Sequence, residues 1–274
     1  SNDGKSWIRA FATVQKALSA AESAVNSLSS TDPNIEVWVA AGTYASAKQN
    51  SRDESVYIIR DRVDVYGAFP VNGNPGKKER QPLVSSSVKV ITGYSPSDYE
   101  TILTRTSKNT NTIERVLGQP YSSNPYNGSC VDYKGALWDG FTLTGGAINS
   151  NSLTSNGRNG GAGAAIYKNV TLKNCVVTNN LLYNSSTNSG GSGGYGRAGG
   201  VYLDNGTIVN CYIINNKLMG YSTTGNTSYC VCYGGGVYMY SGTMYNTVIA
   251  KNEVKAKWAE GAGVFMEEGY FFNN

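Results

Sequence analysis

The sequence predicts an all-β fold, a right-handed parallel β-helix (solenoid) with an N-terminal α-helical cap. Three observations carry this expectation. One motif returns four times after residue 160 with a nearly fixed core and variable spacers, its copies align into apolar and asparagine columns, and only one stretch, near the start, has a helical period.

Residues 6–28 read as a single helix. Trp7, Phe11, Val14, Leu18, Ala21, Val25 and Leu28 recur at spacings of four and three, Ala17, Ala20, Ala21 and Ala24 favour helix, and Ser6 or Asp3 can cap its start. Ser29-Ser30-Thr31-Asp32-Pro33 ends it. Ile35–Val39 alternates as a strand should, and Ala40–Tyr44 reads as a turn. Val56–Ile59 and Val63–Phe69 read as strands. Residues 70–128 hold most of the prolines and the basic Lys77-Lys78-Glu79-Arg80 run, and they read as irregular. The chain thus divides into residues 1–128, the cap and first coils with long excursions, and residues 129–274, the repeat region.

The repeat cores are 163–180, 199–216, 235–252 and the start of a fourth at 261–274. Val201 to Val237 spans 36 residues and Val237 to Val264 spans 27. Leu172, Ile208, Met244 and Phe271 align, as do Val177, Ile213 and Ile249, which marks them as inward positions. Asn174, Asn210, Asn246 and Asn273 form one polar column and Asn180, Asn216 and Asn252 a second, where amides can bond from one repeat to the next. Glycine before each Val-Tyr pair permits a tight turn. Cys175 and Cys211 share a column, which suits two stacked, reduced thiols. Asn274 stops partway through a repeat, so a further stretch of chain, or a partner, is expected to cover the open end.

Composition narrows the chemistry. The 274 residues include 33 Gly, 29 Asn and 20 Tyr but no His, which removes Ser-His-Asp, Cys-His and His-metal mechanisms. A net charge of +4 gives no reason to expect a nucleic-acid partner, and no apolar run is long enough for a membrane span. Five cysteines do not make a disulfide scaffold, and five Asn-x-Ser/Thr sites (Asn127, Asn169, Asn184, Asn205, Asn226) are present. Gly191–Gly196 fits G-x-G-x-x-G but lacks a following helix pattern, and Cys230-Val231-Cys232 lacks companion ligands, so no cofactor or metal is assigned.

Asp3–Trp7, Ala10–Gln15 and Val37–Tyr44 resemble the amino-terminal cap of secreted β-helix proteins common in Bacteroidetes. Val65–Phe69, Glu100–Leu103 and Trp138–Gly146 look like later landmarks of that cap. Gly145–Ile148 is similar to the GGAI element of chlamydial polymorphic outer-membrane proteins, which are adhesins. The wider superfamily is pectate-lyase-like and holds lyases, hydrolases, adhesins and tailspikes, so the resemblance implies the fold and an extracellular or cell-surface location rather than one activity.

An enzyme reading meets few acids. Residues 129–274 contain Asp132, Asp139, Asp204, Glu253, Glu260, Glu267 and Glu268, and Asp204 stacks with Tyr240 and Glu267, so no ladder of acids forms on that column. Glu267-Glu268 reads as a solvated turn. A polysaccharide lyase acting on uronic-acid polymers through Lys217 or Arg197 with Tyr195 is the alternative, and a structural stalk the second; no catalytic residue is assigned. Aromatics are the better material. Tyr167, Tyr202, Tyr238 and Phe265 align in one column that faces either core or solvent. Tyr183, Tyr195, Tyr221, Tyr229 and Tyr233 sit in the spacers beside Gly, Ser, Thr and Asn, a mixture suited to an adaptable binding surface. The expectation is a binding or adhesive module for a polysaccharide or host glycan surface.

Overall fold

The computed structural model describes residues 2–48, 55–82, 98–107, 113–119, 133–150, 160–186, 195–222 and 230–274. Among these are one α-helix and 26 short strands, and all but one of the strand pairings are parallel. The chain is therefore mostly β, built from parallel sheets. No helix is long and apolar enough to cross a membrane among the described residues.

The helix is shorter than its apolar stripe. Trp7–Arg9 is a 3-10 turn, and the α-helix, α1, runs Val14–Val25. Thr13 caps it, its hydroxyl accepting from the Lys16 N–H at 3.2 Å, whereas Ser6 makes no capping bond and Asp3 pairs with Arg9 at 2.9 Å. Trp7 leaves the stripe because its indole N–H donates to the Pro75 carbonyl at 2.9 Å and its ring packs 5.3 Å from Phe69. A tertiary contact here outweighs a local period. Val14, Leu18 and Ala21 form the buried face.

A seven-stranded sheet runs Ile35–Ala40, Val63–Phe69, Ala136–Asp139, Val170–Lys173, Gly206–Val209, Gly242–Tyr245, Tyr270–Phe272. Each strand pairs with one from another repeat, not with its chain neighbour. Register stacks Val37, Val65, Trp138, Leu172, Ile208, Met244 and Phe271 in one column. A six-stranded sheet stacks Tyr44, Leu103, Leu143, Val177, Ile213 and Ile249. With Val201, Leu203, Val237 and Met239 of a ten-stranded sheet, these columns close one continuous core. The expected inward positions Leu172, Ile208, Met244, Val177 and Ile213 are buried in the structure and Ile249 is partly buried, whereas Phe271, on the last strand, is 43% exposed.

Three segments depart from expectation. Gly42–Ser46 is a strand paired with Thr101–Arg105, so only Ala41 is left to turn the chain after Ala40. Thr101–Arg105 and Ile113–Gly118 are strands within the stretch read as irregular. The spacers also carry ladders: Leu181–Ser186 pairs with Lys217–Ser222, and that strand with Glu253–Lys255. Two cations of the basic run are engaged within the chain, Lys77 with Glu36 and Arg80 more deeply. Arg80 donates to the Gly67 carbonyl at 2.7 Å and to Asp139 Oδ1 at 3.0 Å, with its guanidinium over the Tyr66 and Phe69 rings.

The asparagine columns divide their work. Asn174, Asn210, Asn246 and Asn273 have φ of 50°, 52°, 51° and 54°, so they supply left-handed corners that Asn tolerates better than most residues. Asn180, Asn216 and Asn252 form a ladder in which the amides of Asn180 and Asn216 donate both to the next side-chain oxygen and to a carbonyl of the preceding repeat, and Asn252 donates to the Ile213 carbonyl. The glycines at 200 and 236 make room for it, since a Cβ there would stand 2.9 Å from Asn216 Nδ2 and 2.6 Å from Asn252 Nδ2. Their role is clearance, beyond ease of turning.

Cys175 and Cys211 are buried and unbridged in successive repeats, each thiol within hydrogen-bonding reach of a carbonyl. Burial pushes the Cys211 thiol well up, so it stays protonated. Of the glycosylation sites, Asn169 and Asn205 are exposed and Asn184 is buried, while Asn127 and Asn226 lie outside the described residues.

Candidate functional site

The site grows from three short strands in the spacers, Tyr195–Arg197, Val231–Tyr233 and Trp258–Glu260, which form a separate parallel sheet. Their middle residues, Gly196, Cys232 and Ala259, are in register. Cys232 packs with Ile148, Ala162, Leu182 and Leu218 in a second apolar cluster. The flanking residues point the other way by strand alternation, and they meet the aromatic row of the ten-stranded sheet. Burial pushes the Cys232 thiol up to about 12, which keeps that rear face neutral.

The aromatic row settles the question left open by the sequence. Val201 and Leu203 face the main core, while Tyr202, on the opposite face of the same strand, is buried with Ala165, Tyr167, Ala198 and Tyr238 in a third cluster. The row is therefore buried outside the main core, beneath the spacer strands. One membership needs correction: Ala165, not Tyr167, pairs with Tyr202, which pairs with Tyr238 and then Phe265. The corner between Ile166 and Val170 holds one residue more than the corner between Leu203 and Gly206, so the register there is 37 rather than 36 residues and Tyr167 lies beyond the strand, two positions past Ala165. Its ring still approaches Tyr202 at 5.7 Å.

From this row the aromatics continue outward to solvent. Tyr238 stacks on Tyr202 at 5.4 Å and on Phe265 at 5.5 Å. Phe265 lies 4.4 Å from Tyr233, whose ring is nearly parallel to Tyr195 at 6.4 Å and 10°. Tyr195 is 39% exposed and Trp258 55% exposed. Arg197 sits between the layers, its guanidinium 4.9 Å from the centre of the Tyr238 ring. The Tyr238 hydroxyl donates to Glu267 Oε1, and burial together with that bond raises its pKa. Tyr233 is raised as well, by burial first and then by Glu260. Both phenols therefore stay neutral donors near pH 7.

The expected residues distribute unevenly over this site. Tyr195 and Tyr233 come together, on strands rather than loops. Tyr183 is half-buried on Leu181–Ser186, paired in register with Met219, and has no ring contact with the pair among the described residues. Tyr221 contributes backbone to Lys217–Ser222, but its side chain lies outside the described residues, as does the whole of Tyr229. Arg197 and Lys217 part company: Lys217 pairs with Glu253 at 3.3 Å on the exposed surface. Gly191–Gly194 also lie outside the described residues, and Tyr195-Gly196 continues into a strand. The sequence reading missed Trp258, and it counted Glu260 only among the acids, not as a neighbour of this platform. Their signal was the triplet with a small central residue, Tyr-Gly-Arg, Val-Cys-Tyr and Trp-Ala-Glu, standing just before each repeat core.

Chemically the arrangement offers a flat apolar face, a cation held beneath it and carboxylates at its edge. Among the described residues no three His, Cys, Asp or Glu side chains converge as a metal site would require. Comparison with protein-family models, curated proteins and solved structures finds no match to the chain.

Proposed function

We propose that this chain is a right-handed parallel β-helix, secreted or displayed at a cell surface, that binds a carbohydrate chain as an adhesive module. One observation supports the reading above others: Tyr195 lies open to solvent and parallel to Tyr233, on a foundation of fully buried rings. Sugar rings present C–H faces that pack on flat aromatics. A platform whose rings are already ordered loses little side-chain entropy on binding. Trp258 widens the face, and the carboxylates of Glu260 and Glu267 offer acceptors for hydroxyls.

The test is an array of mucin glycans and plant and bacterial polysaccharides, polyuronates included, probed with the whole chain. Saturable binding to one glycan class is expected, weakened about tenfold or more by Tyr195→Ala or Trp258→Ala with the thermal midpoint unchanged. Binding that survives both substitutions would place the surface elsewhere. Turnover of a polyuronate would replace this reading with a lyase, and a blank array with a stalk.

A further inference from the structure

The strand Ile35–Ala40 is an edge of the seven-stranded sheet, with Val63–Phe69 as its only partner among the described residues. Ile35 donates its N–H to the Arg62 carbonyl at 2.9 Å, and Ala41 donates to Phe69 at 2.7 Å. In a parallel ladder the intervening residues alternate, so the N–H and C=O of Glu36 and Trp38 point away from the sheet. They face a cleft of about 1060 Å³ whose opposite wall is α1 with the Trp7–Phe11 segment.

The cleft has a cause in the sequence. Val14, Leu18 and Ala21 of the helix are buried in one cluster with Val37 and Val39 of the strand, and beside that contact the half-buried Ala17, Ala20 and Ala24 line the cleft with short side chains. Trp7, tied to Pro75, and Phe11 hold the flanking wall in place. The acids at the rim are already matched, Asp3 with Arg9 at 2.9 Å and Glu36 with Lys77 at 2.5 Å. Lys5 is the one charged lining residue among those described without an ionic partner, so the cleft carries one uncompensated positive charge.

We propose that this cleft binds an extended peptide, which adds to the edge strand through the main-chain groups of Glu36 and Trp38 and sets an acidic residue or carboxyl terminus near Lys5. The free main-chain groups select a peptide backbone over a sugar or a lipid. The smooth alanine wall selects small alternating side chains, and the unmatched cation selects an acidic end. Six strand residues span roughly 20 Å, which admits a peptide of about the same number of residues.

The probe is an acetylated peptide of alternating valine and serine ending in aspartate, followed by tryptophan fluorescence and by amide exchange at Glu36 and Trp38. Saturable binding is expected, with exchange at both amides slowed about tenfold or more. N-methylation of a single alternate peptide amide should weaken binding about tenfold, because each lost bond removes roughly that factor. Glu36→Pro, read against Glu36→Ala, which also frees Lys77 but keeps the N–H, removes a donor that the sheet does not use and should weaken binding by a similar factor. Lys5→Glu should weaken the aspartate-ending peptide several-fold and leave its amide-ended, serine-terminated version unchanged. The proposal is overturned if the peptide fails to bind at about 1 mM, if N-methylation has no effect, or if exchange slows through self-association of the chain alone.

Discussion

Asn180 donates its side-chain amide to the Asn216 oxygen at 3.0 Å, joining two residues 36 positions apart through groups almost wholly withdrawn from water. The same oxygen accepts the Asn180 backbone N–H at 3.2 Å, and the Asn216 amide reaches the Val177 carbonyl at 2.9 Å. Asn216→Ala therefore strands several buried groups at once. A loss of about 3 kcal/mol is expected in urea unfolding. Asn252→Ala, at the half-buried end of the ladder, should cost less than half of that.

Left-handed corners make a gain in stability available. The residues before the ladder, Asn179, Asn215 and Lys251, have φ of 55°, 56° and 55°. Lysine has no short side-chain amide to offset that conformation, and Lys251 is exposed. Lys251→Asn should raise stability by about 0.5–1 kcal/mol, a thermal shift of roughly 1–3 °C by calorimetry. Asn215→Lys should lower it by a similar amount.

Alkali should unfold the protein by a defined route. Burial raises Cys232 from 9.0 to about 12 and Tyr57 from 10.0 to about 12. In the unfolded chain these groups ionise first, so their contribution is intact below pH 9 and drains away between pH 9 and 12. Each group steepens the fall by up to about 1.4 kcal/mol per pH unit. Denaturant titrations across that range should show the decline, and Cys232→Ala should make it shallower while the buried Cys211 thiol still sets its onset.

Arg80 and Asp139 form an ion pair with side chains only 9% and 7% exposed. Asp139 Oδ1 also accepts the Asn174 amide at 2.8 Å, so the pair fastens an excursion to a corner of the repeats. Arg80→Ala leaves a buried carboxylate short of a cation, with an expected cost of about 3–5 kcal/mol. Combining it with Asp139→Ala in a double-mutant cycle should recover at least about 1 kcal/mol of coupling.

The columns Leu172–Ile208–Met244–Phe271 and Asn180–Asn216–Asn252 were legible because their spacing is regular and each position tolerates few residue types. The aromatic platform was only half legible. Tyr195 and Tyr233 stood out as residue types, but three-residue strands are too short to display a period, and Val231 and Trp258 share a register position without sharing chemistry. The helix was overextended because Trp7 fits the stripe and yet finds a better partner in Phe69. Tyr167 matches Tyr202 in residue type, yet it stands two positions beyond Ala165, which holds the column place, because the chain gains a residue at the corner that follows Ile166.

That extra corner residue says something about inheritance. The chain lengthens by one between Ile166 and Val170, with Asn169 bent at φ 63° where Asn205 bends at 58°, and the ladders on both sides still pair as if nothing had changed. Corners therefore absorb insertions and strands do not. A lineage of such chains can change length at every bend while its interior stays conserved in kind. Descent between two of them is then to be judged strand against strand, since an end-to-end comparison falls out of step at the first altered bend.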